Sequence, residues 1–255
     1  RNSANDGWID LRTLTGGVTT TADATINSVT VGKGANSVAN NTVVGENALD
    51  ASVSGGGNTA IGVAALGATT SGENNTAIGR QALAANTTAS NNTAVGAFTL
   101  DSNTTGTENT ALGYLALQAN TTNGGNTAIG FSALDANTTG ANNTGIGRAA
   151  LGANTTGDSN TAVGKNALDA NTTASNNNAF GNDALGANTT GDKNNAFGGA
   201  ALEANSTGTE NTAFGSRALQ SNTTASYNVA VGRDALRANT TGTQNTAVGT
   251  DALDA

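Results

Sequence analysis

N-T-A-I-G-R-Q-A-L-A-A-N-T-T-A-S-N, residues 75–91, is the stretch from which most of the chain is copied. Each copy can be anchored on the glycine of its A-[IV]-G step. These glycines run from Gly45 through Gly62 and Gly79 to Gly249, every neighbouring pair 17 residues apart, in thirteen copies without an insertion. A strict period in this range marks a solenoid, in which each copy is one rung and stacking supplies the core. Leucine keeps the same discipline. From Leu49, Leu66 and Leu83 to Leu253 it stands four residues after its glycine in all thirteen copies. Low hydrophobicity can mean disorder, but a disordered tract has no reason to hold Leu at one phase.

Within a copy, N-T-A-I-G alternates as a strand does, so Thr76 and Ile78 share one face and Ala77 takes the other. The Ile78 phase is always Val, Ile, Leu or Phe, and the Ala77 phase is small or β-branched. Both faces are therefore restricted, as in a strand buried on two sides. The sequence reading assigns the large apolar face to the lumen of the rung and the small one to a neighbouring chain. After the glycine turn, Ala82-Leu83 is a second buried step and Asn86-Thr87-Thr88 a third short β-prone segment. Helix is excluded for these runs, because about five residues between Gly and Asn fall far below the ~12 needed for marginal helical stability.

The predicted fold is all-β: a parallel β-solenoid or β-roll with 17-residue rungs, left-handed and homotrimeric. Two large apolar side chains per rung make a thin core for one chain, which favours association of three copies over a monomeric solenoid. Residues 1–25 read as an N-terminal cap or joint carrying Trp8, Ile9, Leu11 and Leu14. Residues 26–40 read as a shorter, irregular first rung, and 41–255 as the regular array, its last copy incomplete. The sequence begins at Arg1 and stops inside a copy, so a longer parent polypeptide is expected.

Composition removes whole classes of chemistry. There is no Cys, His, Met or Pro, so neither a disulfide, a usual zinc site nor a His-based nucleophile pair can be built. A net charge of −8 argues against a nucleic-acid partner. No apolar run approaches the length of a membrane span. The acids scatter over exposed corners without the fixed phase of a calcium ladder or the paired geometry of a glycosidase. No catalytic residue, metal or cofactor is expected.

Asn opens every copy, and Asn75, Asn92, Asn109 and Asn126 are expected to stack as a hydrogen-bonded ladder. The second Asn, as at Asn86, begins an N-T-T sequon, for which glycosylation is the competing reading; the strict register favours a ladder. Two apolar groups stand out. Phe180, Phe197 and Phe214 replace Val/Ile in three consecutive copies and are expected to form a buried core column. Phe98, Tyr114, Leu115 and Phe131 fall just after the glycine in three successive copies, where other copies place Arg80, Arg148, Arg217 or Asp234. They are candidates for a receptor-contact strip, with packing against a neighbouring chain as the alternative.

The steps S-V-T-V-G-K-G-A at Ser28–Ala35 and N-T-A-I-G-x-x-A throughout resemble the head repeats of trimeric autotransporter adhesins, a left-handed parallel β-roll. That family's repeat is shorter, and Thr here replaces its first Val. Over Asn27–Ala255 the chain is also similar to the N-T-A-x-G-x-x-A-L-x-A-N-T-T-G arrays of bacteriophage tail fibres. The resemblance implies a structural fibre shaft on a virion or cell surface, with a cell-surface glycan or protein receptor as partner and no membrane insertion. Alternatives are a bacterial adhesin head and an ice-binding solenoid. Ice binding is the weaker of these, because Thr87 and Thr88 point to opposite faces and leave a single Thr column.

Overall fold

A computed structural model describes residues 24–26, 29–51 and 53–254. Trp8, Ile9, Leu11 and Leu14 lie outside them. The described chain is a parallel β-solenoid of about twelve turns. Its strands are β1 (Ala24–Ile26), β2 (Val29–Gly32), β3 (Thr42–Gly45), β4 (Thr59–Ile61), β5 (Thr76–Ile78), and so on at 17-residue steps to β15 (Thr246–Val248). They form one 15-stranded sheet in sequence order. From β3 onward every pair is parallel and in register by one repeat, Thr76 opposite Thr93 and Ile78 opposite Val95.

Residues 26–40 differ from the expected short rung. β2 runs antiparallel to β3, Val31 opposite Val44, and β1 runs antiparallel to β2. A parallel return needs a full coil such as residues 46–58, and residues 33–41 are too few for one. The chain instead reverses through Gly34, Asn36 and Ser37, all at positive φ. The resulting hairpin covers the first edge of the stack, where an open parallel edge would pair with other chains.

The lumen is the main correction. Ala60, Ala77, Ala94 and their equivalents are buried, together with the Ala82-Leu83 pair and its equivalents up to Ala235-Leu236, whereas Ile78 is 38 % exposed. The small face of the strand looks inward and the large one outward, the reverse of the sequence reading. Space decides this. At Gly145, which replaces the Ala, an added Cβ would already sit 3.0 Å from Ala150 O and 3.3 Å from Leu134 Cγ. The Leu column fills the lumen and leaves room for little more than a methyl group opposite it. Two consecutive inward residues are impossible in a plain strand. Here Leu83 takes φ +53, as all thirteen leucines do within a few degrees, and that left-handed kink brings Ala82 and Leu83 inward together.

Polar ladders run beside this core. Asn92 N–H donates to Asn75 Oδ1 at 3.0 Å, Asn109 to Asn92 at 2.9 Å and Asn126 to Asn109 at 3.1 Å. A second column links the N-T-T asparagines: Asn154 Nδ2 donates to Asn137 Oδ1, and Asn171 Nδ2 to Asn154 Oδ1. Both columns are fully buried from Asn58 to Asn228 and become partly exposed only at Asn239 and Asn245 in the last turn. In the folded rungs the amide nitrogen that glycosylation requires is enclosed. A third line is formed by Thr87 Oγ1, which donates to Thr104 O, and its equivalents. Buried amides stay favourable here because each finds its partners in the neighbouring rung.

Candidate functional site

The outward face of the strands carries an unbroken apolar rank, Val44, Ile61, Ile78, Val95, Leu112 and onward, half-buried or exposed in every rung. Phe180, Phe197 and Phe214 belong to it. Their rings do stack, at centroid distances of 4.7 and 5.5 Å, but outside the lumen; Phe214 is 58 % exposed. The expectation of a buried core column is therefore corrected for the chain on its own. A lumen filled by the Leu column and small residues opposite it cannot hold a phenyl ring. Asn178 and Asn195 lie next to Phe180 and Phe197 on the same outward face and bond to one another across the rungs.

The second surface is the corner after the glycine. Tyr114 and Phe131 stand one residue past Gly113 and Gly130, Phe98 and Leu115 two residues past Gly96 and Gly113. The structure brings the three rings together. Phe98 meets Tyr114 edge-on at 6.0 Å, and Tyr114 stacks on Phe131 at 5.6 Å. Leu115 is half-buried at the same corner. Tyr114 is 46 % and Phe131 52 % exposed. The Arg80 guanidinium lies 5.2 Å from the Phe98 ring centroid, a cation–π contact that extends the strip by one rung. Sequence reading counted Arg80 among the wet corners and missed this contact. The signal was present, since Arg80 and Phe98 fall one rung and one residue apart.

Beyond the strip the corners carry charge. Arg217, Arg233 and Arg237 surround the buried Asp234, with Arg217 Nη2 at 2.7 Å from its carboxylate. Farther up, Asn166, Asp169, Asp183 and Glu203 line a shallow acidic pocket. Among the described residues no cluster of acids has the arrangement to hold a metal ion, and no helix is long and apolar enough to cross a membrane. Desolvation raises the pKa of Asp101, Asp135 and Asp169; the Ser132 hydroxyl opposes it at Asp135, and Arg148 opposes it at Asp169.

A carboxyl whose folded pKa exceeds its unfolded value binds protons better when folded. Its penalty is complete above the folded pKa, shrinks as pH falls through it and is gone below the unfolded value. Asp169→Asn should therefore raise the melting temperature at about pH 7 and leave it nearly unchanged at about pH 3. Melting curves of the two proteins across that range measure the difference.

No protein-family model, curated protein or solved structure matches the chain.

Proposed function

We propose that the chain is the shaft of an extracellular fibre of the tail-fibre kind, in which copies of the chain lie side by side along the outward apolar rank. The observation that carries this reading is the rank itself. A contiguous apolar face along a whole rod is large for a monomer and marks an interaction surface. Three copies is the number that the resemblance to trimeric heads implies. The regular stack is about 60 Å long at the ~4.8 Å spacing between strands, and its uniform rungs suit a spacer that holds contact surfaces away from an anchor. The rings of Phe180, Phe197 and Phe214 interrupt the flat Thr and Val/Ile rows of the same face, which supports packing between chains over an ice-matching surface.

Light scattering should return three times the chain mass of 24.7 kDa. Ile129→Asp with Val163→Asp places two charges on the rank without touching the lumen. The assembly should then fall to single chains that keep their β-signature in circular dichroism. A wild-type chain that runs as one copy would remove the proposal.

A further inference from the structure

The aromatic corner differs from the apolar rank in one respect: cations frame it. In the column one residue past the glycine, Arg80, Ala97, Tyr114, Phe131, Arg148 and Lys165 follow one another with no acid among them. Farther along the described array the cations are paired with acids. Lys193 pairs with Glu210, Arg217 with Asp234, Arg233 with Asp234 and Asp251, and Arg237 with Asp254. Among the described residues Arg80, Arg148 and Lys165 form no salt bridge, although Arg148 lies near enough to Asp169 to act on its carboxyl, and all three are exposed. In a chain of net charge −8, three exposed cations in one column outside any salt bridge, bracketing the exposed Tyr114–Phe131 stack, form a local exception.

We propose that this corner binds an acidic polysaccharide, its sugar faces lying on Tyr114 and Phe131 and its carboxylates meeting Arg80 at one end and Arg148 with Lys165 at the other. Aromatic faces accept the C–H side of a pyranose as apolar surface, and a guanidinium takes a carboxylate through two parallel hydrogen bonds. The spacing separates this ligand from single-stranded nucleic acid, which also stacks on aromatic rings. Arg80 and Arg148 lie four rungs apart, about 19 Å. Sparse cations on an acidic rod fit a chain with intermittent acids, whereas one phosphate per nucleotide would be repelled between them. The inference rests on the reading of the rod as a fibre that meets another surface.

The test is calorimetric titration of the full chain with hyaluronan and with heparosan oligosaccharides, which carry one carboxylate per disaccharide, beside a malto-oligosaccharide and oligo-dT of matched length. At least one acidic oligosaccharide should bind, more weakly as salt rises, and better than the neutral sugar or the DNA. Tyr114→Ser with Phe131→Ser should weaken that binding by about tenfold or more with mass and melting temperature unchanged. Arg80→Gln with Arg148→Gln should remove the preference for the acidic sugar. The proposal falls if neither acidic oligosaccharide binds, if oligo-dT binds as well, or if either double variant binds as the parent does. It falls equally if the Tyr114/Phe131 variant loses its assembled mass, which would make the strip a contact with a second copy. A single-chain protein that binds would overturn the fibre reading alone, and an assembled one that does not bind would overturn only this inference.

Discussion

Asn154→Asp should unfold the middle of the shaft at neutral pH, although it exchanges one nitrogen for one oxygen. Asn154 Nδ2 donates to Asn137 Oδ1 at 2.9 Å and to Gly157 O at 3.0 Å, while its own Oδ1 accepts from Asn171 Nδ2 at 2.8 Å. All three side chains in this ladder are fully buried. An ionised Asp would aim a negative oxygen at two acceptors with no water to intervene. Leaving a buried charge uncompensated costs about 3–5 kcal/mol. Each rung contacts only its neighbours, so the loss should divide the array into two shorter stacks rather than spread evenly. Thr156→Asp is the matched control. It lies in the same N-T-T segment but is exposed, so its effect should stay within about 0.5 kcal/mol. Thermal melts, with hydrogen exchange to locate the opening, separate the two. Equal melting temperatures would mean that the Asn ladder contributes nothing beyond the backbone.

The ladder was legible from the residues because register leaves it no alternative. Stacking identical copies at a fixed period places every Asn on the next Asn, whatever the shape of the rung. The same logic made the strand at N-T-A-I-G and the invariant Leu readable. The choice of inward face was read the wrong way round, because alternation separates two faces without saying which is inside. A size argument was available: the Ile78 phase accepts Val, Leu and Phe, which a lumen packed to native density would not, while the Leu phase accepts nothing else. Tolerance of volume marks the outside, and invariance marks the core. The left-handed φ of Leu83 had no signal at all, since Leu is not a residue that seeks positive φ and only the closed rung holds it there. At the candidate site, phase alone placed Tyr114 beside Phe131. The contrast between paired and unpaired arginines required the ion pairs of Asp234 and its neighbours to be seen in three dimensions.

Gly147→Ala should be among the most damaging single methyl groups that can be added to the shaft, and two other glycines divide its cost into parts. Gly147 has φ +134, a region that is nearly glycine-only, and its added Cβ would stand 2.4 Å from Gly164 O and 2.6 Å from Gly164 C in the next rung. Backbone cannot yield as a side chain does. The stack would have to open where Gly164 N–H now bonds Ile146 O at 2.8 Å. Gly249 shares the backbone conformation, φ +130, but its Cβ would meet nothing closer than Ala252 Cβ at 3.9 Å. Gly199 lies outside the strained region of φ, and its Cβ would find open space. Gly199→Ala should therefore change stability by no more than about 0.5 kcal/mol. Gly249→Ala should cost about 1–3 kcal/mol from backbone strain alone. Gly147→Ala should exceed both, at roughly 4–5 kcal/mol or more, because the clash with the next rung adds to the strain. Denaturant melts of the three variants give the order directly. If Gly147→Ala falls no lower than Gly249→Ala, close approach between rungs is not what requires glycine at this phase, and φ alone accounts for the thirteen-fold repeat.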